Sequence, residues 1–254
     1  MGTTAEKLQA IINSKEAIRQ AIVDKGISCD NTVPLDEYAT KIGDISGGSG
    51  DLDDFLSGAL TSLTSNATSI RRDACRSYTN LISVSLPNIT TILAYTFQGC
   101  NSLTSVNIPN VTSIGEYAFG NCFVLTSINL QNVTTFTGTN VFQNCKALTS
   151  INLPKITSII INCFMGCELL ASVDLGLDAQ SIGTNAFYDC VSLTNITIRR
   201  TDDICSLNSV QGFPASSTQH ITIHVPSDLI NSYKNASNWS TLYNNGYITF
   251  TALS

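Results

Sequence analysis

The side chains able to do chemistry in this 254-residue chain are few. His220 and His224 lie four apart in HITIHV, where strand alternation puts both on one outward face. A pair of imidazoles is half of a zinc site, but no third ligand is predictable nearby, so exposed polar capping residues are the better reading. Cys163 and Cys167 are also four apart. Cys163, however, falls in the column of Ala118 and Ala186, while Cys167 belongs to a ladder with Cys100, Cys122, Cys145 and Cys190 at steps of 22 or 23 residues. Stacked thiols fall within disulfide Cα distances, yet an odd ladder cannot pair completely and buried thiols are unreactive, so packing explains it. Asp202 and Asp203 read as a solvated turn. With no nucleophile and base, no phosphate loop and no calcium loop, the sequence predicts no catalytic residue, no metal site and no cofactor.

The elements that place these residues come from a repeat. Leu81, Leu103, Leu125, Leu148, Leu170 and Leu193 share one column, followed three residues on by Val84, Val106, Ile128, Ile151, Val173 and Ile196. Two further on come Leu86, Ile108, Leu130, Leu153, Leu175 and Ile198. This LxxVxL spacing predicts a short strand with alternate side chains inward. Pro87, Pro109 and Pro154 then stop it, having no N–H for a ladder. A second apolar column, Ile70, Ile92, Ile114, Ile159 and Ile182, precedes Phe97, Phe119, Phe142, Phe164 and Phe187. Gly99, Asn121, Asn144, Gly166 and Asp189, each two residues after the Phe, tolerate positive φ and predict a short helical turn ending in a left-handed cap.

One such unit cannot bury its own Leu, Ile and Phe, so neighbours must stack at about 4.8 Å per rung. The columns, with copies such as AFGNCFVLTSINLQN, resemble the BspA-like branch of the leucine-rich repeat family over about residues 66 to 200. The fold expected is an α/β repeat solenoid, a right-handed leucine-rich repeat superhelix of short strands and short helical turns, plus a small N-terminal helical module. The first copy departs from the pattern. Cys75 stands at the Phe position and Tyr78 at the Cys position, among Arg71, Arg72, Asp73 and Arg76, as in a polar end rung. The fourth copy carries an extra residue near Gly138.

The ends differ from the middle. Residues 1–45 carry twelve charges, against seven across residues 77–198. Thr3 with Glu6 forms a capping box, and Leu8, Ile11, Ile12, Ile18 and Ile22 line one side of a helix that Gly26 ends. PLDEYATKI predicts a second helix, giving a hairpin module over 1–45, a flexible linker over 46–50, and a solenoid over 51–254 with an N-terminal capping segment (51–69) and a C-terminal cap (201–254). The module resembles short helical segments of phage and prophage tail proteins. Its spacing fits both a monomeric hairpin and a bundle between chains, and so a homo-oligomer through the N-terminal helices. After Arg200 the period fails. Ile221, Ile223 and Val225 predict a last strand, SDLINSYKNASNW a helix capped by Ser227, and Trp239 a lid on the final rung, an arrangement that resembles BspA-like terminal caps.

Composition limits the partners. The net charge of -6 disfavours nucleic acid and anionic lipid, no run of about 18 apolar residues is present to insert in a membrane, and the N-terminal residues do not read as a signal peptide. Between the inward residues of each strand, small polar side chains form outward ladders. Ser105, Asn107, Ser127, Asn129, Ser150, Asn152, Ser172 and Asp174 are the candidate interaction face. Hydroxyl and amide groups suit a protein segment or a cell-surface glycan, although the face lacks the Trp, Tyr and Arg that anchor tight binding, and the same ladders equally fit the plain role of solvating a repetitive sheet. The sequence thus predicts a non-catalytic recognition module. The main expectation is a binding protein of a phage or prophage tail; the alternative is a bacterial cell-surface adhesin that binds host proteins, and an enzyme ranks below both.

Overall fold

The computed structural model describes residues 61–213 and 219–253. The expected helical module over 1–45, the linker over 46–50 and residues 51–60 lie outside the described residues.

Residues 61 onward coil into a leucine-rich repeat β-solenoid of about eight turns. One face carries β1 (Ser62–Thr64), β2 (Ser83–Ser85), β4 (Ser105–Asn107), β7 (Ser150–Leu153), β9 (Ser172–Leu175), β11 (Asn195–Ile198), β13 (Ile221–Val225) and β14 (Ile248–Ala252). A second carries β3 (Thr91–Ile92), β5 (Ser113–Gly115), β6 (Thr135–Thr137), β8 (Ser158–Ile159), β10 (Ser181–Ile182) and β12 (Ser206–Leu207). All pairings are parallel and put like on like: Val84 beside Val106, Ile151 beside Val173, Val173 beside Ile196. Leu81, Leu103, Leu125, Leu148, Leu170 and Leu193 are all fully buried in one continuous core.

The first face is interrupted once. Its strands form the orders β1-β2-β4 and β7-β9-β11-β13-β14, and residues 127–129 between them join neither sheet. Ile128 is accordingly only half-buried, while Val106 and Ile151 on the flanking rungs are buried. On the second face the neighbouring rung absorbs an extra residue. Phe136 takes the place opposite Ile114 and packs edge-on against Phe142 and Phe164. Gly138 takes up the slack at φ 93°, where a Cβ would come within 2.6 Å of the Glu116 Cβ.

The connections that carry the Phe are runs of tight turns, not continuous helix. Positive φ occurs two residues after each Phe, at Gly99, Asn121, Asn144, Gly166 and Asp189, as the residue types predict. It also occurs two residues before, at Tyr95, Tyr117, Asn140, Asn162 and Asn185. Two left-handed residues four apart divide the segment into successive tight turns, such as Gln98 N–H to the Tyr95 carbonyl and Cys100 N–H to the Phe97 carbonyl. The N–H groups of Tyr95, Phe97 and Gly99 are thereby released to the next rung, where they donate to Glu116, Ala118 and Gly120. A helix would have kept those donors to itself.

The chain after Arg200 departs from the expectations of the sequence. The period lengthens after Arg200 but the rungs continue: β12 pairs with β10, Ile223 aligns with Ile196, and Phe213 joins the phenylalanine column. β13 is not the last strand, because β14 pairs parallel to it from Ile221↔Ile248 to Val225↔Ala252. The expected single helix is a 3-10 turn (Ser227–Leu229), α1 (Ile230–Asn235) and α2 (Trp239–Asn244). Extended backbone at Ala236 and a φ of 64° at Asn238 separate α1 from α2. Ser227 sits inside the 3-10 turn, and Pro226 precedes it with no side-chain cap. Trp239 is fully buried on Phe213 at 5.5 Å between ring centroids and closes the aromatic column.

Candidate functional site

The strand face is built by the two-residue alternation of each strand, which buries the Val or Ile and turns its neighbours out. Ser105, Asn107, Ser127, Asn129, Ser150 and Asn152 are exposed, and Ser172 and Asp174 are half-exposed. The eight thus share the outer surface of successive rungs, although Ser127 and Asn129 lie where the strand ladder is interrupted.

Their hydrogen bonding sorts them. Much of the repeat's polar content is spent on stacking: the Thr112, Thr134 and Thr157 hydroxyls donate to carbonyls of the preceding rung, as do the Asn110 and Asn132 amides. On the candidate face, by contrast, the side chains of Ser105, Ser127, Ser150, Asn152 and Ser172 bond to no other described residue. Asn107 donates to Ser85, Asn129 accepts from the Gln131 N–H, and Asp174 is held by Arg199 in a two-point contact of 2.9 and 2.7 Å. The carboxylate in turn holds the Arg199 pKa above its usual value. The face is therefore neutral in its middle, with one ion pair toward the C-terminal end.

The residues with chemical potential are spoken for. His220 meets the Gly246 carbonyl at 3.0 Å and the Thr249 hydroxyl, and His224 meets Thr251 and Asn195 at 2.9 and 3.3 Å. Both rings thus tie β13 to its neighbours with all four nitrogens engaged. Among the described residues no group of three His, Cys, Asp or Glu side chains converges. Cys163 and Cys167 are buried, and all eight cysteines among the described residues are free thiols. Burial pushes the Cys100, Cys190 and Cys205 thiols up to about 12. The opposite side carries a groove of about 240 Å³ lined in part by Gly138, Ser158, Ile161, Ser181 and Asn208, none of them titratable.

Sequence reasoning missed one cluster. The turn edge, not the strand face, holds Arg and Tyr together: Arg72 and Arg76 lie over the Tyr95 ring, which stacks on Tyr117. The signal was available, since Tyr95 and Tyr117 are one period apart and the arginines lie about one period earlier.

A family model for the BspA type leucine rich repeat region, in six copies, matches residues 68–194 and 157–246. The chain is similar to the leucine rich repeat protein of T. pallidum at 20% identity, over 76% of this chain and 87% of that one, with a TM-score of 0.48. It is also similar to a leucine rich cell surface protein from Faecalibacterium prausnitzii A2-165, at 20% identity over 81% and 69% of the two chains, TM-score 0.38. A leucine-rich repeat protein from Bacteroides ovatus ATCC 8483 matches at 18% identity over 80% and 70%, TM-score 0.30. No curated protein matches.

Proposed function

Since the chain belongs to the BspA-type leucine-rich repeat family, whose repeats are typically non-catalytic binding modules, we propose that it is a recognition protein that binds a protein partner through its strand face, in the manner of a bacterial cell-surface adhesin. The observation that carries this reading is the row of Ser105, Ser127, Ser150, Asn152 and Ser172, whose hydroxyl and amide groups stay outside the rung-to-rung network that occupies Thr112, Thr134 and Asn132. Small, uncharged donors and acceptors spaced a rung apart suit the peptide groups and short polar side chains of an extended partner. They also suit the hydroxyls of a cell-surface glycan, which is the second ligand class. The phage or prophage tail reading rests on residues 1–45, outside the described residues, and no finding bears on it.

The test is binding of the full chain to a panel of purified host extracellular-matrix proteins, to purified bacterial polysaccharides and to bacterial envelope fractions. The adhesin reading expects a matrix protein to bind and Ser127→Lys with Ser150→Lys to abolish it while the far-ultraviolet circular dichroism is unchanged. Binding to an envelope fraction alone would replace the adhesin by the tail reading. Binding indifferent to the paired substitution would remove the strand face from the account.

A further inference from the structure

Arg71, Arg72 and Arg76 fall in a single turn, three of the eight lysines and arginines among the described residues of a chain with a net charge of -6. They are organised by aromatic rings. The guanidinium carbons of Arg72 and Arg76 lie 4.8 and 5.1 Å from the Tyr95 ring centroid. Tyr95 stacks on Tyr117 with centroids 5.5 Å apart and planes within 11°. The arginines belong to the rung before Tyr95 and Tyr117 to the rung after, so both faces of the Tyr95 ring are covered. Its hydroxyl donates to the Glu116 carboxylate at 3.0 Å, which fixes the ring in its plane and raises the phenol pKa.

The charges on this edge do not balance locally. Asp73 alone serves both guanidiniums, with one oxygen 3.2 Å from Arg76 and the other 3.4 Å from Arg72, and Arg71 forms no ion pair among the described residues. The Arg72 and Arg76 side chains remain 60% and 52% exposed. Contact with the Tyr95 ring holds two guanidiniums in place beforehand, which lowers the entropy cost of binding, and the nitrogens that Asp73 does not take are left for a ligand.

We propose that this turn edge docks an acidic segment of a protein partner, whose carboxylates are taken by the paired forks of Arg72 and Arg76. The two oxygens of a carboxylate match a guanidinium edge, and an acidic segment presents several such groups in a row. A sugar ring would need an open aromatic face, and Tyr95 has none. Arg and Tyr are also among the residue types most enriched at the energetic centres of interfaces, and the Arg199 guanidinium at the strand face is already taken by Asp174. This surface lies on the turns between strands, so it and the strand face succeed or fail separately.

The experiment is calorimetric titration of the full chain with a short peptide of alternating glutamate and glycine, and with its glutamine counterpart, at about 50 and about 300 mM NaCl. The glutamate peptide is expected to bind, more weakly at the higher salt, and the glutamine peptide not to bind. Arg72→Gln with Arg76→Gln should weaken binding by about tenfold or more, and Arg72→Lys with Arg76→Lys, which keeps the charge and loses the fork, should weaken it as well. Asp73→Asn should tighten it several-fold by freeing both guanidiniums, at a left-handed position that asparagine tolerates, and a misfolded variant could not imitate that gain. Lys146→Gln should change nothing. Equal affinity for the two peptides, indifference to the paired Gln substitution, or tighter binding of polygalacturonate than of the peptide would each overturn the proposal.

Discussion

The Cys145 thiol donates a hydrogen bond of 3.2 Å to the Phe119 carbonyl of the preceding rung, and the same carbonyl accepts the Cys122 N–H of its own rung, also at 3.2 Å. The relation repeats along the column, from Cys122 to Phe97, Cys167 to Phe142 and Cys190 to Phe164. A thiol is small enough for the inward turn and still carries a donor for the carbonyl's second lone pair. Cys145→Ala removes the donor and leaves a void of about one sulfur atom, so it should cost about 1–2 kcal/mol in urea unfolding. An unchanged midpoint would reduce the cysteine column to filler.

Alkali should unfold the protein through these same thiols. Burial raises their pKa from an ordinary value near 9, to about 12 for Cys100, Cys190 and Cys205. The folded state therefore keeps protons that the unfolded chain gives up. The thiols' contribution is present in full below pH 9 and falls as pH rises from there toward 12. At pH 10 each such thiol should cost about 1 kcal/mol. Replacing Cys100 and Cys190 by alanine should flatten the decline in stability between pH 8 and 10. Reductant at neutral pH should leave stability unchanged, because the described cysteines form no disulfide.

What could be read from the sequence followed how many residues reported each feature. Six leucines in one column determine an interior, and Leu81 to Leu193 are buried as their spacing requires. The left-handed positions after the Phe carry Gly, Asn or Asp and were readable for that reason. Those before the Phe carry Asn at 140, 162 and 185, but Tyr95 and Tyr117 are of a type that normally avoids positive φ, and no local preference announces these two. They are imposed by stacking, which needs the Tyr95 N–H for Glu116 of the next rung. Phe213 escaped because it sits beyond the point where the period stretches. The candidate face was readable as alternation, but which of its hydroxyls are committed to neighbouring rungs depends on contacts some 22 residues apart.

The break in the strand ladder makes a graded test of the core. Leu125 is fully buried in a central rung, with rungs above and below that cannot close around a void. Leu125→Ala should cost about 2–5 kcal/mol. Ile128, three residues on, belongs to the rung that joins neither sheet and is half-buried. Ile128→Ala should therefore cost clearly less than Ile151→Ala, whose side chain occupies the same column on the next rung and is buried. Equal losses at 128 and 151, measured by chemical unfolding, would mean that the strand face is continuous there in solution.

The C-terminal lid can be taken apart in two steps through Trp239, the single tryptophan of the chain. Its indole N–H donates to the Cys205 carbonyl at 2.8 Å, while the Cys205 N–H donates to the Tyr233 hydroxyl at 2.7 Å. Its ring meets Phe213, Tyr233 and Phe250 at 5.5, 5.7 and 5.8 Å. Trp239→Phe keeps an aromatic ring on the column but takes the indole donor from a buried carbonyl, and should cost about 1–3 kcal/mol. Trp239→Ala also opens the column and should cost about 3–5 kcal/mol. Because each rung touches only its neighbours, the damage should stay local. Amide hydrogen exchange should speed up in β13 and β14 well before β7 in the alanine variant. A uniform rise across all strands would mean that the rungs unfold as one cooperative unit rather than fraying from the lid inward.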